Sequence, residues 1–343
     1  MKIRNTWAMR AMLTAGFITG LVAPFQSANA EVREQSFRLA SVQVAEHPFS
    51  MGGKRFAELI EKKSGGKMKA KLFTGGTLGG DAQVISSLQG GTIDGTFVST
   101  GLIAPMDKNF EIYYLPMAFK SMAAADRVVD GPFGKKMLDR LPAQGLIGLT
   151  YWEHGFRDVS NNKRPITKLE DFEGLKLRTI QIPLFVDIYK ALGTNPVPMG
   201  WTELYTALEQ KALDGQETGL PSFNAARLYE VQKYLSLTNI VYDPLLVLFS
   251  KKKWDTLNAD EQKILVDSAK EATGYQRKLN RETINQLVTK PGGGMLVNDI
   301  SPAERARMKD RLKAVVEAHS KDYDPALLAE FLAEVDKSNK AEK

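Results

Sequence analysis

Two arginines stand where a guanidinium has to find an anion. Arg178 closes the run Leu175-Lys176-Leu177-Arg178, whose alternating apolar residues predict a strand with most of its surface buried. An ionised group buried there without a partner is strongly disfavoured. Either an internal Asp or Glu or the carboxylate of a bound solute can be that partner. Arg157 ends Trp152-Glu153-His154-Gly155-Phe156-Arg157, an aromatic-rich segment at an expected crossing between domains, where a plain surface arginine is the alternative. A guanidinium fork grips a carboxylate through two parallel N–H···O bonds, which an ammonium cannot do. Trp201 opens a helix and offers a ligand a flat apolar wall, unless it is a core anchor.

Other chemistry is sparse. With no cysteine there is no thiol nucleophile and no thiolate metal site. The histidines are His47, His154 and His319, none spaced with another as helix-borne ligands. Gly75-Gly76-Thr77-Leu78-Gly79-Gly80 looks like a phosphate cradle at a helix start, but Asp81 at the expected cap repels an anion. The run reads as a flexible strand-to-helix turn. A lyase or isomerase needs a general base, for which Glu46, His47 and His154 are the loosely placed candidates. The expectation is a binding protein, not an enzyme, with no cofactor and no metal.

The elements that must position these residues alternate strand and helix. Phe37–Val42, a helix bearing Phe56, Leu59 and Ile60, Lys67–Phe73, a helix bearing Val84, Ile85 and Leu88, and Thr92–Val98 give β-α-β-α-β. Asp81 is expected to cap the second of these helices. The order recurs with a strand at Leu175–Ile180, a helix at Leu184–Leu192, an extended piece at Pro196–Pro198, and a helix capped by Thr202. Leu88…Asp94-Gly95 and Leu208…Asp214-Gly215 share one spacing, which points to two similar α/β domains. Leu245–Phe249 predicts a buried strand. The helix at Ala259–Leu287 is expected to turn Ile264, Leu265, Ala272, Tyr275 and Leu279 inward. Ser301-Pro302-Ala303-Glu304 predicts a capping box, and a last helix from Pro325 should bury Leu328, Phe331, Leu332 and Val335.

The N-terminus reads as an export address. Lys2, Arg4 and Arg10 precede the short apolar stretch Ala11–Ala23, and Ala28-Asn29-Ala30 supplies small residues for cleavage. Removing residues 1–30 lowers the formal charge from +6 to +3, too little for a nucleic-acid protein. A freely soluble periplasmic protein is expected, built from domain I (31–154 plus 244–283) and domain II (155–243 plus 284–343 with the C-terminal helices).

At these residues the sequence resembles the solute-binding proteins of TRAP (tripartite ATP-independent periplasmic) transporters. The likeness is carried by Gly174-Leu175-Lys176-Leu177-Arg178, by Leu192-Gly193-Thr194-Asn195-Pro196-Val197-Pro198-Met199, and by Glu203-Leu204-Tyr205-Thr206-Ala207-Leu208 with Leu213-Asp214-Gly215-Gln216-Glu217. His47-Pro48, Gly76-Thr77-Leu78-Gly79-Gly80-Asp81 and Tyr229-Glu230-Val231-Gln232-Lys233-Tyr234 support it. The resemblance implies a type II periplasmic-binding-protein fold, two α/β domains on a hinge braced by long helices. It implies a monomer that captures a small carboxylate and delivers it to membrane subunits. A binding protein of another transporter or a sensor is the alternative. The resemblance places the ligand carboxylate on Arg178, makes Arg157 the second pocket arginine, and puts Trp201 on the wall. Ser99, His47 and Thr218 would add neutral polar contacts. Many members carry Asn where this chain has Thr218. With Trp201, Phe156 and Phe223 expected nearby, that departure leans toward an apolar monocarboxylate or aromatic acid rather than a sugar acid.

Overall fold

The computed structural model describes residues 31–290 and 292–342, so the leader expected at residues 1–30 lies outside the described residues. The chain opens with β1 (Gln35–Ala40), α1 (Pro48–Lys63), β2 (Met68–Phe73), α2 (Asp81–Gly90) and β3 (Gly95–Ser99). Two short helices, α3 (Met122–Val129) and α4 (Pro132–Leu138), lead into a long strand, β4 (Leu146–Asn161). The opening pattern then recurs as β5 (Lys176–Thr179), α5 (Pro183–Ala191), β6 (Asn195–Pro198), α6 (Leu204–Glu209) and β7 (Gly215–Gly219). After α7 (Leu220–Ala225) comes a second long strand, β8 (Tyr234–Ser250). The chain ends with α8 (Lys251–Trp254), α9 (Ala259–Thr289), β9 (Leu296–Asp299), α10 (Pro302–Ser320) and α11 (Pro325–Lys340).

All these strands share one sheet, ordered β2-β1-β3-β8-β4-β7-β5-β6, with β9 beside β8. The order is palindromic. Parallel trios, β2-β1-β3 and β6-β5-β7, flank the antiparallel pair β4–β8. The central strands serve both halves: Leu146–Glu153 pairs with Pro244–Ser250 in one lobe, and Gly155–Asn161 with Tyr234–Asp243 in the other. Between them β4 bulges at Glu153/Gly155, with Gly155 at φ +96°, a conformation open to glycine. Each lobe has its own apolar core, one around Phe37, Phe97 and Trp152, the other around Phe172, Leu177 and Ile188.

The recurring Asp-Gly pair does the same work twice. Asp94 Oδ2 accepts the Arg38 N–H of β1 at 2.7 Å, and Asp214 Oδ2 accepts the Lys176 N–H of β5 at 2.9 Å. Each carboxylate thus ties the start of its strand to the first strand of its unit. The glycines follow because a Cβ at Gly215 would lie 2.1 Å from the Ser160 carbonyl, and one at Gly95 2.7 Å from Leu39 Cδ2.

Several expectations need correction. Gly80, not Asp81, is the N-cap of α2, which leaves the Asp81 side chain free of capping. Thr202 lies inside a short 3-10 turn, Trp201–Glu203, and Glu203 caps α6. Ser301 accepts from Glu304 N as expected, but the Glu304 carboxylate turns to the Leu169 N–H at 3.0 Å instead of closing the box. On α11 the buried register is Leu327, Phe331, Val335 and Ser338, which leaves Leu332 48% exposed. On α9, Tyr275 is exposed while Gln276 and Asn280 are buried. The cause is the β4 bulge, which takes backbone groups out of the ladder. Gln276 both accepts Glu153 N–H (2.9 Å) and donates to its carbonyl (2.8 Å), and Asn280 donates to the His154 carbonyl at 3.2 Å.

Near the end of α10, His319 Nε2 lies 2.8 Å from Asp187 Oδ2 on α5, and its Nδ1 lies 3.5 Å from the buried carboxylate of Glu111. Glu111 and Asp187 raise its pKa above the usual value against the opposing effect of burial. A raised folded pKa contributes stability that is complete below the unfolded value of ~6.5 and is lost as pH rises through the folded value. The urea midpoint of His319→Gln is therefore expected to trail the wild type more at pH 5.5 than at pH 9.

Candidate functional site

The lobes meet over a cavity of ≈ 40 Å³ whose walls carry converging charge. A larger groove of ≈ 820 Å³ runs past Asn162, Lys211 and Tyr229, but its charges are surface lysines and acids, and Lys163 there already pairs with Asp214. The small cavity is the candidate site. Gln43, Asp81 and Ser99 face it from one lobe, Arg178, Trp201 and Thr218 from the other, and His154 and Arg157 from β4.

The two arginines are not equivalent. Arg157 is consumed within the protein: Nε donates to Glu217 Oε2 (2.5 Å), Nη2 to Glu217 Oε1 (3.0 Å) and Nη1 to Asp243 Oδ2 (2.6 Å). Burial works against its charge, yet the two carboxylates raise its pKa. Arg178 has far less. Its Nε donates to the Met199 carbonyl at 2.9 Å, while Nη1 stands 4.0 Å from Glu217 Oε1 and makes no hydrogen bond. Burial pulls this guanidinium down to about 10, with the charge of Arg157 adding to the effect. The Trp201 ring lies against it, 5.9 Å from centroid to guanidinium carbon.

Asp243, at the middle of β8, gathers the rest. Oδ1 accepts Tyr114 O–H (2.7 Å), and Oδ2 accepts Ser99 O–H (2.8 Å), Arg157 Nη1–H and His154 Nδ1–H (2.8 Å). Burial pushes the Asp243 pKa up, but His154, Arg157 and Tyr114 outweigh it and hold it at about 2. His154 Nε2 meets Ser222 Oγ at 2.9 Å, and Ser222 Oγ meets His47 Nε2 at 2.9 Å. Burial lowers the pKa of both histidines, most strongly for His47. This Ser-His-Asp line has the connectivity of a nucleophile triad, but in this closed arrangement Ser222 is fully buried with a histidine on either side of its hydroxyl.

The structure therefore places Arg178, Arg157, Trp201, Thr218 and Ser99 around the cavity, with His47 one residue behind it. Phe156 and Phe223 are elsewhere. Phe156 packs on Tyr242 with centroids 5.4 Å apart, and Phe223 sits in the cluster of Leu204, Leu208 and Leu220. Glu217 and Asp243, the partners of Arg157, were not singled out from the sequence as site residues, nor was Gln43. Glu217 ends the motif Asp214-Gly215-Gln216-Glu217, and that was its one available signal.

Residues 39–322 match the family described as bacterial extracellular solute-binding protein, family 7. The chain belongs to this family. Its relatives include the 2,3-diketo-L-gulonate-binding periplasmic protein of Escherichia coli, 36% identical over 85% of this chain and 89% of that protein. Among solved structures, the galactonate complex of a sugar acid binding protein from Advenella mimigardefordensis superposes with a TM-score of 0.87 at 38% identity, over 90% of this chain and 99% of that one. A TRAP periplasmic solute-binding protein from Polaromonas bound to D-erythronate gives 0.84 at 32% identity, over 88% and 99%. The resemblance to TRAP solute-binding proteins and the type II two-lobed fold are thus borne out. Among the described residues, no helix is long and apolar enough to cross a membrane.

Proposed function

We propose that this family 7 protein captures a small hydroxylated organic acid in the periplasm, as a monomer, and passes it to the membrane subunits of a TRAP transporter. Export through the leader at residues 1–30 is part of the same reading. The observation that carries it is Arg178, a buried guanidinium with an unbonded Nη1 at the lobe interface, beside an arginine already saturated by protein carboxylates. A ligand carboxylate supplies the acceptor Arg178 lacks, and Trp201 covers one side of the pair. Arg157 acts from behind, holding Glu217 in place.

The polar groups set the rest of the ligand. Asp81 faces the cavity from the opposite lobe without a hydrogen bond to protein, and burial, opposed by the Arg178 charge, raises its pKa to about 6. At neutral pH its carboxylate accepts a ligand hydroxyl. Gln43 and Thr218 offer further partners, while Ser99 already donates to Asp243 and can only accept. With Phe156 and Phe223 away from the cleft, an aromatic acid loses its support. A hydroxy or sugar acid fits better, in line with the galactonate and D-erythronate held by the similar structures. Calorimetry with D-galactonate, D-erythronate and neutral D-galactose tests this. The acids should bind and the neutral sugar should give no measurable heat; equal affinity for D-galactose would overturn the reading.

A further inference from the structure

The line His47–Ser222–His154–Asp243 crosses from lobe to lobe, and the direction of every proton in it can be deduced. Phe49 N–H donates to His47 Nδ1 at 3.0 Å, so Nδ1 carries no hydrogen and the proton of the neutral ring sits on Nε2. His47 Nε2–H therefore donates to Ser222 Oγ at 2.9 Å. At the other end, Asp243 Oδ2 can only accept, so His154 Nδ1 carries the proton and Nε2 is left as an acceptor. The Ser222 hydroxyl must then donate to His154 Nε2. Arg157 Nη1, 3.3 Å from His154 Nδ1, is directed instead to Asp243 Oδ2 at 2.6 Å. Every donor has one acceptor, and the pattern closes in one direction only.

His47 caps α1 and Gln43 precedes it, both in the first lobe, while Ser222 lies on α7 directly after β7 in the second. Gln43 Nε2 also reaches Ser222 Oγ, at 3.3 Å. We infer that Ser222 is a catch between the lobes, a positioning residue that receives His47 from one lobe and hands the interaction through His154 to the Asp243–Arg157 network behind the ligand site. It touches no ligand. Its effect is on the closed arrangement of the cleft, and so on how slowly the bound acid leaves. When the lobes part, the donors of His47 and Gln43 lose Ser222, and the buried hydroxyl keeps only its bond to His154. This inference rests on the proposed cleft as the binding site.

Two substitutions at His47 separate the catch from helix capping. His47→Asn keeps an acceptor for Phe49 N–H, since Asn is a favoured N-cap, but cannot reach Ser222. His47→Gln carries an amide donor out to the Nε2 position and sacrifices the cap. Dissociation of D-galactonate, followed by stopped-flow tryptophan fluorescence, should quicken about five- to a hundredfold in His47→Asn, the range for leaving buried hydrogen-bonding groups unpaired. His47→Gln should stay near wild type. The reverse ranking, with Gln fast and Asn unchanged, would make His47 a cap alone and overturn the catch. If wild type binds neither D-galactonate nor D-erythronate, the cleft reading fails by itself, and the catch is judged without ligand. Because the chain has no cysteine, Ser86→Cys on α2 and Glu209→Cys on α6, both exposed, accept a unique spin-label pair across the lobes. The catch requires His47→Asn to lower the share of the short interlobe distance relative to wild type; identical distributions would overturn it.

Discussion

Arg178→Ala is expected to weaken binding of the acid by about 30- to several-thousand-fold, the ~2–5 kcal/mol typical of removing one partner from a buried charged pair. The same substitution should leave the ligand-free protein at least as stable as wild type. Arg178 is 2% exposed, and the nearest carboxylate stands 4.0 Å away without a hydrogen bond. Replacing such an underpaired buried charge with an apolar side chain relieves a desolvation cost. A structural arginine would give the opposite pair of results, a loss of stability with affinity preserved. Arg178→Lys keeps the charge but loses the fork and the bond to the Met199 carbonyl, so it should bind far more weakly than wild type while exceeding Arg178→Ala. Calorimetric titrations and thermal melts of the ligand-free variants check all three statements.

The contrast between the two arginines marks how far the sequence can be read. That Arg178 lies on a buried strand and needs an anion follows from local pattern. Which anion each arginine meets does not, because the partners of Arg157 lie far along the chain and are delivered by strand pairing. Arg157 stands opposite Gly219 on β7 and Val241 on β8, which brings Glu217 and Asp243, each two residues from those partners, within its reach. The Asp-Gly spacing was legible for the complementary reason, since each Asp closes a loop onto the strand of its own unit. Phe156 illustrates a signal that was present but unused. Successive residues on a strand face opposite sides, so an arginine in the cleft turns its neighbour away from it. The buried amides of α9 had no such signal. Gln276 and Asn280 follow from a bulge in a distant strand, and nothing in the periodicity of the helix marks it.

Asp243 carries the other large expected effect. Asp243→Ala should destabilise the fold at pH 7 by about 3–5 kcal/mol, the usual result of breaking a buried ionic cluster from one side. Four donors converge on this carboxylate, from Ser99, Tyr114, His154 and Arg157. Glu217 keeps three bonds to Arg157, two through its carboxylate and one through its backbone carbonyl, so the guanidinium stays in place but is left with a single counter-charge. The pH dependence gives the prediction its signature. The folded pKa of Asp243 is depressed to about 2, so its contribution is complete above the unfolded value of ~3.9 and is lost as pH falls toward the folded one. Urea denaturation should therefore show a wide gap between wild type and Asp243→Ala at pH 7 that narrows steadily below pH ~4. A gap unchanged down to pH ~2 would mean that the loss comes from packing alone, and Asp243 could then no longer be the charge that fixes Arg157 and frees Arg178 for the ligand.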